Sequence, residues 1–495
     1  MEISKIRSTF AFERRWRWGE IGLLSIAAIV GALLFSFSGP AVSLMVILTC
    51  IGLIVVVACF VNIQVGFYTV ISLGFMVGCL DRAFLGRIPF ISIILLLSYF
   101  LVCLLFAKRM NRPKDLSWIP WHPLLWFYLL TRAYTIVEVF NPNMDSYLGW
   151  FSWFWQKMAY IFFFLMACYI FQKKESIVFF FKFIIGAIFI TALYGCIQQW
   201  YGLSSFDFRW VHSDPHILGL YSLPGGGLRK FSLFSDPANF GTFMAGGAVA
   251  ILVFIIRGTL GKRDTFLLVG FLAVVILGMS YSGTRTANIM LFAGLGLYVL
   301  MTLYQRKTQL LAALTLLAFL FIKYAPIYSN VTINRFRSSF HGSDDPSMNT
   351  RLVHREMMQP YMHKHPFGGG INTAGAPGEK YNPHHFLAGF PPDGAYFGIA
   401  LQEGWIGLAL NCIFFFSILF YCVHYFYKCR NLEIKTYYIV MAAMLFALFL
   451  GAYAQFTVSS VPQSFVFIPF LAIITKLHTF DDVVISKKNS KIYNQ

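Results

Sequence analysis

Apolar positions run along this chain in separate blocks, most of them about 17–22 residues long, the length of helix that crosses a ~30 Å hydrocarbon layer. Fourteen blocks are predicted as spans: 20–38, 41–61, 65–80, 89–107, 123–140, 151–171, 177–200, 237–256, 265–281, 286–304, 309–325, 394–427, 436–454 and 462–476. An even number of crossings puts both ends of the chain on one side. Lysine and arginine cluster on that side at turn after turn: within 5–17, 108–114, 173–174, 257–263, 306–307, 428–435 and 476–491. By the positive-inside rule that side is cytoplasmic. The expected fold is all-α: a polytopic integral membrane protein of about 12–14 transmembrane helices, the lower count applying if an early pair is re-entrant.

Composition removes the soluble alternative. The chain is 58% hydrophobic and 12% charged, has a mean hydropathy of +0.66 and contains 54 Phe. Soluble domains average about 45–50% apolar and about 25% charged residues. A net charge of +18 would suggest nucleic acid in a soluble protein. Here the basic turns account for it, and no nucleic-acid partner is expected. The basic stretch up to Glu20 leads into an apolar run without a small-x-small cleavage site, so it reads as an uncleaved first span. The nine cysteines lie inside apolar blocks or at cytoplasmic ends, and nothing demands an external disulfide.

The opposite face carries two long connections, 201–236 and 326–393, which hold eight of the eleven histidines. Connections beyond about 15 residues are usually functional or disordered, and these are not of low complexity. The longer has Arg335, Arg337, Arg351, Arg355, Lys364 and Lys380 against Asp344, Asp345, Glu356 and Glu379. The shorter has Arg209, Arg229 and Lys230 against Asp207 and Asp214. Both are net positive where little positive charge is expected, and arginine forks suit phosphate oxygens. The alternative is a pair of solvated loops balanced by lipid headgroups. Apolar spacing predicts a helix over 350–363, and Gly368-Gly369-Gly370 reads as a close backbone approach or a sharp turn. His363, His365, His384 and His385 raise the question of zinc, but no Cys joins them and the spacing fits no structural zinc pattern, so no metal or other cofactor is expected. Arg132 and Glu138, inside a predicted span, are left without a role.

Four stretches carry more specific information. R-K-F-S-L-F-S-D-P-A-N runs from Arg229 to Asn239, where a span begins, and Y-S-G-T-R runs from Tyr281 to Arg285 at the end of another. A third, R-L-V-H-R-E-M-M-Q-P-Y-M-H-K-H-P-F-G-G-G, runs from Arg351 to Gly370, and D-G-A-Y-F-G-I-A-L-Q-E-G-W-I-G-L begins at Asp393. In this order, at these helix ends, they resemble the bacterial O-antigen ligase and O-antigen polymerase family of membrane glycosyltransferases. The resemblance covers about 180–460. It divides the chain into N-terminal transmembrane helices (1–200), a ligase/polymerase-like core with both loops (201–460), and a last helix with a cytoplasmic tail (461–495).

The resemblance implies a glycosyltransferase-C-like enzyme at the periplasmic face of a bacterial inner membrane, with both termini cytoplasmic. Its donor would be a polyprenyl-pyrophosphate-linked oligosaccharide, its acceptor a glycan or a lipid, and its surroundings membrane lipids. Transfer would be inverting and metal-independent. Arg285 at a span end is costly unless it faces a polar cavity or an anion, although it can also snorkel to the interface. Arg229 precedes a helix start at Asp236-Pro237, where free N–H groups favour anions. Arg229, Arg285 and Arg351 are thus expected to bind the pyrophosphate, with Asn239 and Tyr396 as further substrate contacts. For Arg351 a structural bridge to Asp344, Asp345 or Glu356 is the alternative.

One departure matters. The ligases are expected to have a histidine where this chain has Asp393, followed by Asn where it has Gly394. Asp393 is then a general base or an orienting acceptor of a hydrogen bond, and His384 and His385 are the substitutes. Polymerisation of surface-polysaccharide repeat units is the leading expectation. Ligation to a lipid or protein acceptor is the alternative, and a flippase of lipid-linked sugars the rival from another class. Transporters usually show repeated halves with broken helices, and no internal repeat is visible here.

Overall fold

The structure, a computed structural model, describes residues 62–83, 118–223, 226–326, 331–338, 340 and 346–481. The predicted spans 20–38, 41–61 and 89–107 lie outside these residues, as do Asp344 and Asp345. The chain divides into two compact units, 1–66 and 67–495, and the second contains the helical bundle with both long connections.

Among the described residues the fold is all-helical, with two isolated β-bridges and no strand. Nine of the described helices are long and apolar enough to cross a membrane. They are α1 (Ile63–Ala83), α3 (Tyr147–Ile170), α4 (Lys174–Trp200), α7 (Pro237–Arg257), α8 (Lys262–Tyr281), α9 (Arg285–Thr302), α10 (Arg306–Tyr324), α14 (Ala395–Lys428) and α15 (Leu432–Gly451). Two predicted spans form shorter helices, α2 (Pro123–Val137), which ends in a 3-10 turn, and α16 (Gln463–Lys476). The connections hold α5 (Ser205–Val211), α6 (Pro215–Tyr221), α11 (Val331–Ser338), α12 (Pro346–Lys364) and α13 (Gly375–Tyr381). The helix expected over 350–363 is the body of α12.

At the centre lie α7 and α15, with 78% and 83% of their apolar windows buried, while α10 at 6% sits on the rim. Small residues in α7, Gly241, Thr242 and the run from Ala245 to Ala248, let neighbours approach closely. A Cβ on Gly247 would come within 2.8 Å of Ile188. The start of α7 is set by Asp236, whose Oδ1 accepts from the Asn239 N–H at 2.8 Å, and by Pro237 at the first helical position.

One break in α14 shapes everything above it. Gly404 leaves the helical region at φ 67°, ψ −166°, which frees backbone carbonyls in the preceding turn. The glycine run takes them up. Gly369 N–H donates to Leu401 O at 2.8 Å, Gly370 N–H to Gln402 O at 2.9 Å, and Trp405 N–H to Pro366 O at 2.9 Å. A Cβ on Gly368 would lie 2.5 Å from the Gln402 carbonyl carbon, so the backbones touch directly. Asn141 and Asn143, in the turn between α2 and α3, donate to Phe367 O and Gly368 O at 2.9 and 2.8 Å. The long connection is therefore clamped to the bundle from two sides.

Candidate active site

The 229–239 segment is fixed from below. Arg82 of α1 is fully buried; its Nε meets Asp207 Oδ1 at 2.7 Å, and its other nitrogens donate to Ser232 O and Phe234 O. Asp207 Oδ2 accepts from Tyr194 and Gln198 at 3.1 and 3.0 Å. Asp207, a loop charge by sequence, is thus a buried and fully bonded anchor. The shorter connection folds over it around Val211, Tyr221 and Phe231.

Arg229 then reaches the Y-S-G-T-R turn between α8 and α9. Its Nε donates to Ser282 O at 3.0 Å, Nη2 to Thr284 Oγ1 at 3.0 Å and Nη1 to Leu220 O at 3.3 Å. Three of its five N–H groups are so engaged, and two remain for a ligand. Arg335 of α11 closes on the same turn, donating from Nε to Gly283 O at 2.5 Å. Arg285, half-buried, opens α9 just beyond it. Arg229 is pushed down to about 10, first by burial, then by Arg335 and more weakly by Arg285, with Asp236 opposing. It stays charged at neutral pH. Arg229 and Arg335 thus both bond the 282–284 turn, Arg285 lies near enough to act on Arg229 as a like charge, and among the described residues no carboxylate is bonded to Arg229.

A second constellation lies where α12 crosses the start of α14. His354 Nδ1 is 2.5 Å from Asp393 Oδ2, and both side chains are about one-fifth exposed, at 23% and 22%. Asp393 is held there by Gly394, which has φ 130° and whose Cβ would meet Tyr453 O at 2.5 Å. Ala395 N–H also donates to Ala452 O at 2.9 Å. Arg355, beside His354, stacks 3.9 Å over the Tyr453 ring and bonds its hydroxyl and carbonyl. Arg351, one turn before His354 and Arg355, is half-buried on α12.

The other expected residues fall elsewhere. His385 belongs to a cluster with Tyr361 and His365 at the far end of α12. From His354 to Tyr361 is two turns, about 10 Å of helix. Burial holds the His385 imidazole below its usual range, partly offset by Asp145, and its Nδ1 accepts from Leu387 N–H. His384 is exposed. Asn239 ties α7 to the loop before α16: its Oδ1 accepts from Ser460 at 3.0 Å and its carbonyl from Gln463 at 3.0 Å. Tyr396 donates to Phe449 O at 2.8 Å, between α14 and α15. Among the described residues no group of three or more His, Cys, Asp or Glu is arranged to hold a metal ion.

Sequence reasoning did not single out His354 or Arg335. A signal existed for the first: His354 follows Arg351 by three positions in R-L-V-H-R, on one face of the expected helix. Arg335 offered none beyond its charge.

Fold and site together define a polytopic helical membrane protein with a polar, arginine- and histidine-bearing region at one end of its bundle. Residues 270–412, from within α8 into α14, match the O-antigen ligase family. The match covers Arg285, Arg335, Arg351, His354 and Asp393 and stops short of Arg229. An O-antigen polymerase of Salmonella muenchen is 26% identical over 251 residues, 48% of this chain and 58% of that protein. The chain thus spans little more than half the length of this curated relative. Both matches are to proteins of the O-antigen ligase and polymerase kind, to which this part of the chain is similar.

Proposed function

We propose that the protein transfers a glycan from a polyprenyl-pyrophosphate donor to an acceptor hydroxyl, polymerising repeat units at the periplasmic face of a bacterial inner membrane. Residues 201–236 and 326–393 then lie outside and both termini inside, as the basic turns imply. The observation that carries this reading is the convergence of Arg229, Arg285 and Arg335 on the turn between α8 and α9. Such a cluster suits the charge that develops on a departing pyrophosphate. Arg351 of α12 is assigned to the same donor pyrophosphate.

In the proposed step the acceptor oxygen attacks the anomeric carbon as the bond from that carbon to the phosphate oxygen breaks. The leaving group departs with the electron pair toward the arginines, and the anomeric centre inverts. The acceptor proton goes to His354. With its Nδ1–H bonded to Asp393, that imidazole keeps the Nε2 lone pair and is oriented by the carboxylate, the division of labour of His and Asp in hydrolase triads. Asp393 supports the base, and the histidine that the ligases are expected to have at this place comes instead from α12. The arginines supply the charge stabilisation that a divalent ion would otherwise provide.

The test is turnover by purified protein given a lipid-linked repeat unit, with products sized on a gel. A ladder is the expected result. A single shifted band would make the protein a ligase, and binding without product would favour transport.

A further inference from the structure

Arg355 stands beside the proposed base in the arginine-rich R-L-V-H-R stretch, where its charge alone would mark it as one more phosphate ligand. Its contacts say otherwise. Nη2 donates to Tyr453 O at 3.0 Å, Nη1 bonds the Tyr453 hydroxyl, and the guanidinium lies 3.9 Å over the same ring. Two of its three nitrogens and one of its faces are thus taken up by a single residue.

Tyr453 belongs to the turn that follows α15, and this turn also meets the start of α14. Ala395 N–H donates to Ala452 O at 2.9 Å. A Cβ on Gly394 would lie 2.5 Å from Tyr453 O, so main chain touches main chain directly after Asp393. The two halves of the His354–Asp393 pair therefore share one support. Asp393 is held through the two residues that follow it, His354 through its neighbour in α12, and both attachments end on Ala452 and Tyr453. The rest of the seat of α12 is apolar: one turn on, Met358 packs with Phe397 and Leu401. Apolar contact is non-directional and leaves a helix free to roll on its neighbour. A flat fork bonded at two points removes that freedom. A His354–Asp393 contact of 2.5 Å tolerates little roll.

We propose that Arg355 and Tyr453 are positioning residues: together they clamp α12 to the turn after α15 and hold the His354 imidazole on Asp393, and Arg355 binds neither donor nor acceptor. The word base rests on the glycosyl-transfer reading; the clamp does not.

Two measurements on full-length protein in detergent separate the clamp from the chemistry. The first is the rate at which diethyl pyrocarbonate modifies His354, read by peptide mass spectrometry against the exposed His384. Arg355→Lys keeps the charge and loses the planar fork. Tyr453→Ala removes the ring and hydroxyl and leaves the carbonyl. Each should label at His354 severalfold faster than wild type, with His384 unchanged. The second is turnover of the lipid-linked repeat unit. In either variant kcat should fall about tenfold or more with donor KM nearly unchanged. The double variant should be no worse than the poorer single one, because both remove the same contact. Since losing a ring can loosen the fold, Tyr453→Phe keeps the ring and deletes only the hydroxyl bond; its effects should be smaller and in the same direction. Unchanged labelling of His354 in Arg355→Lys overturns the proposal. So does a raised donor KM with kcat preserved, which would make Arg355 a phosphate ligand, and so do additive losses in the double variant. Faster labelling with turnover preserved leaves the clamp standing and sinks His354 as the base.

Discussion

The two cationic regions of this molecule are built in opposite ways. Around the turn between α8 and α9, Arg229 and Arg335 spend part of each guanidinium on backbone carbonyls of Ser282 and Gly283. Inside the bundle, Arg132 of α2 and Lys157 of α3 touch mainly ring faces. Arginines that are hydrogen-bonded to their own scaffold are pre-positioned, and a ligand there meets charge already in place, the arrangement that favours a transition state. Cations held by aromatic faces are less constrained. On this comparison the first region is the one that the proposed transfer would use.

The sharpest break between the two comes from Arg285. Arg285→Ala should lower transfer by about 10²–10³-fold or more while the protein still inserts and melts normally. Arg285→Lys should restore little, since a lysine cannot contact two phosphate oxygens as a fork. Full activity in the lysine variant would reduce this region to a generic point charge and erase the contrast with the Arg132 and Lys157 pair.

Next in size is the proposed base. Asp393→Asn and His354→Ala should each cost about 10²-fold in turnover with donor binding nearly unchanged. His384→Ala and His385→Ala should stay near wild type. If the last two are dead and His354→Ala survives, the proton goes to the far end of α12 and the His354–Asp393 pair is only structural. Chelators should leave turnover unchanged. Loss in EDTA, restored by magnesium or zinc, would put a metal where the arginines are now assigned.

A stability effect arises from the clamp between the glycine run and α14. Gly404→Ala puts a Cβ 2.0 Å from Pro366 O at a positive φ and should destabilise the protein by about 3 kcal/mol or more. Gly186→Ala in α4, where nothing lies within 4 Å, is the matched control and should be neutral or slightly stabilising. Thermal unfolding in detergent reads both. Equal melting temperatures would mean that the clamp contributes nothing.

The helices were legible because a bilayer imposes length and apolarity on every span, and the described helices follow the predicted blocks. Arg229, Arg285 and Asp393 stood out because charge at a span end is costly and therefore noticeable. What stayed hidden was non-local. Asp207 looks solvated until Arg82, 125 positions away, is seen on it. Q-E-G-W reads as ordinary helix, and its break at Gly404 exists only because 366–370 arrives to use the freed carbonyls. His354 and Asp393 are 39 positions apart, and no local pattern pairs them. Lys157 is the instructive omission: a lysine well inside a predicted span is itself a signal, and block length alone passes over it.

The smallest expected effect concerns Arg229 and pH. Its folded pKa of about 10 lies below the ordinary guanidinium range because burial, Arg335 and, more weakly, Arg285 disfavour its charge. For a base with a depressed folded pKa, the charged form burdens the fold below that pKa, and the burden fades as pH rises through about 10. A bound pyrophosphate reverses the preference, since it needs the charge that the empty site resists. Donor affinity contributed by Arg229 is therefore complete at neutral pH and declines as pH passes about 10. The measurement is donor KM from pH 8 to 10.5 in wild type and Arg229→Gln. Wild type should weaken severalfold more steeply than the variant over the last unit, while Lys157→Gln leaves that difference intact. Parallel profiles would mean that Arg229 only braces the turn, leaving Arg285 and Arg335 to meet the phosphate.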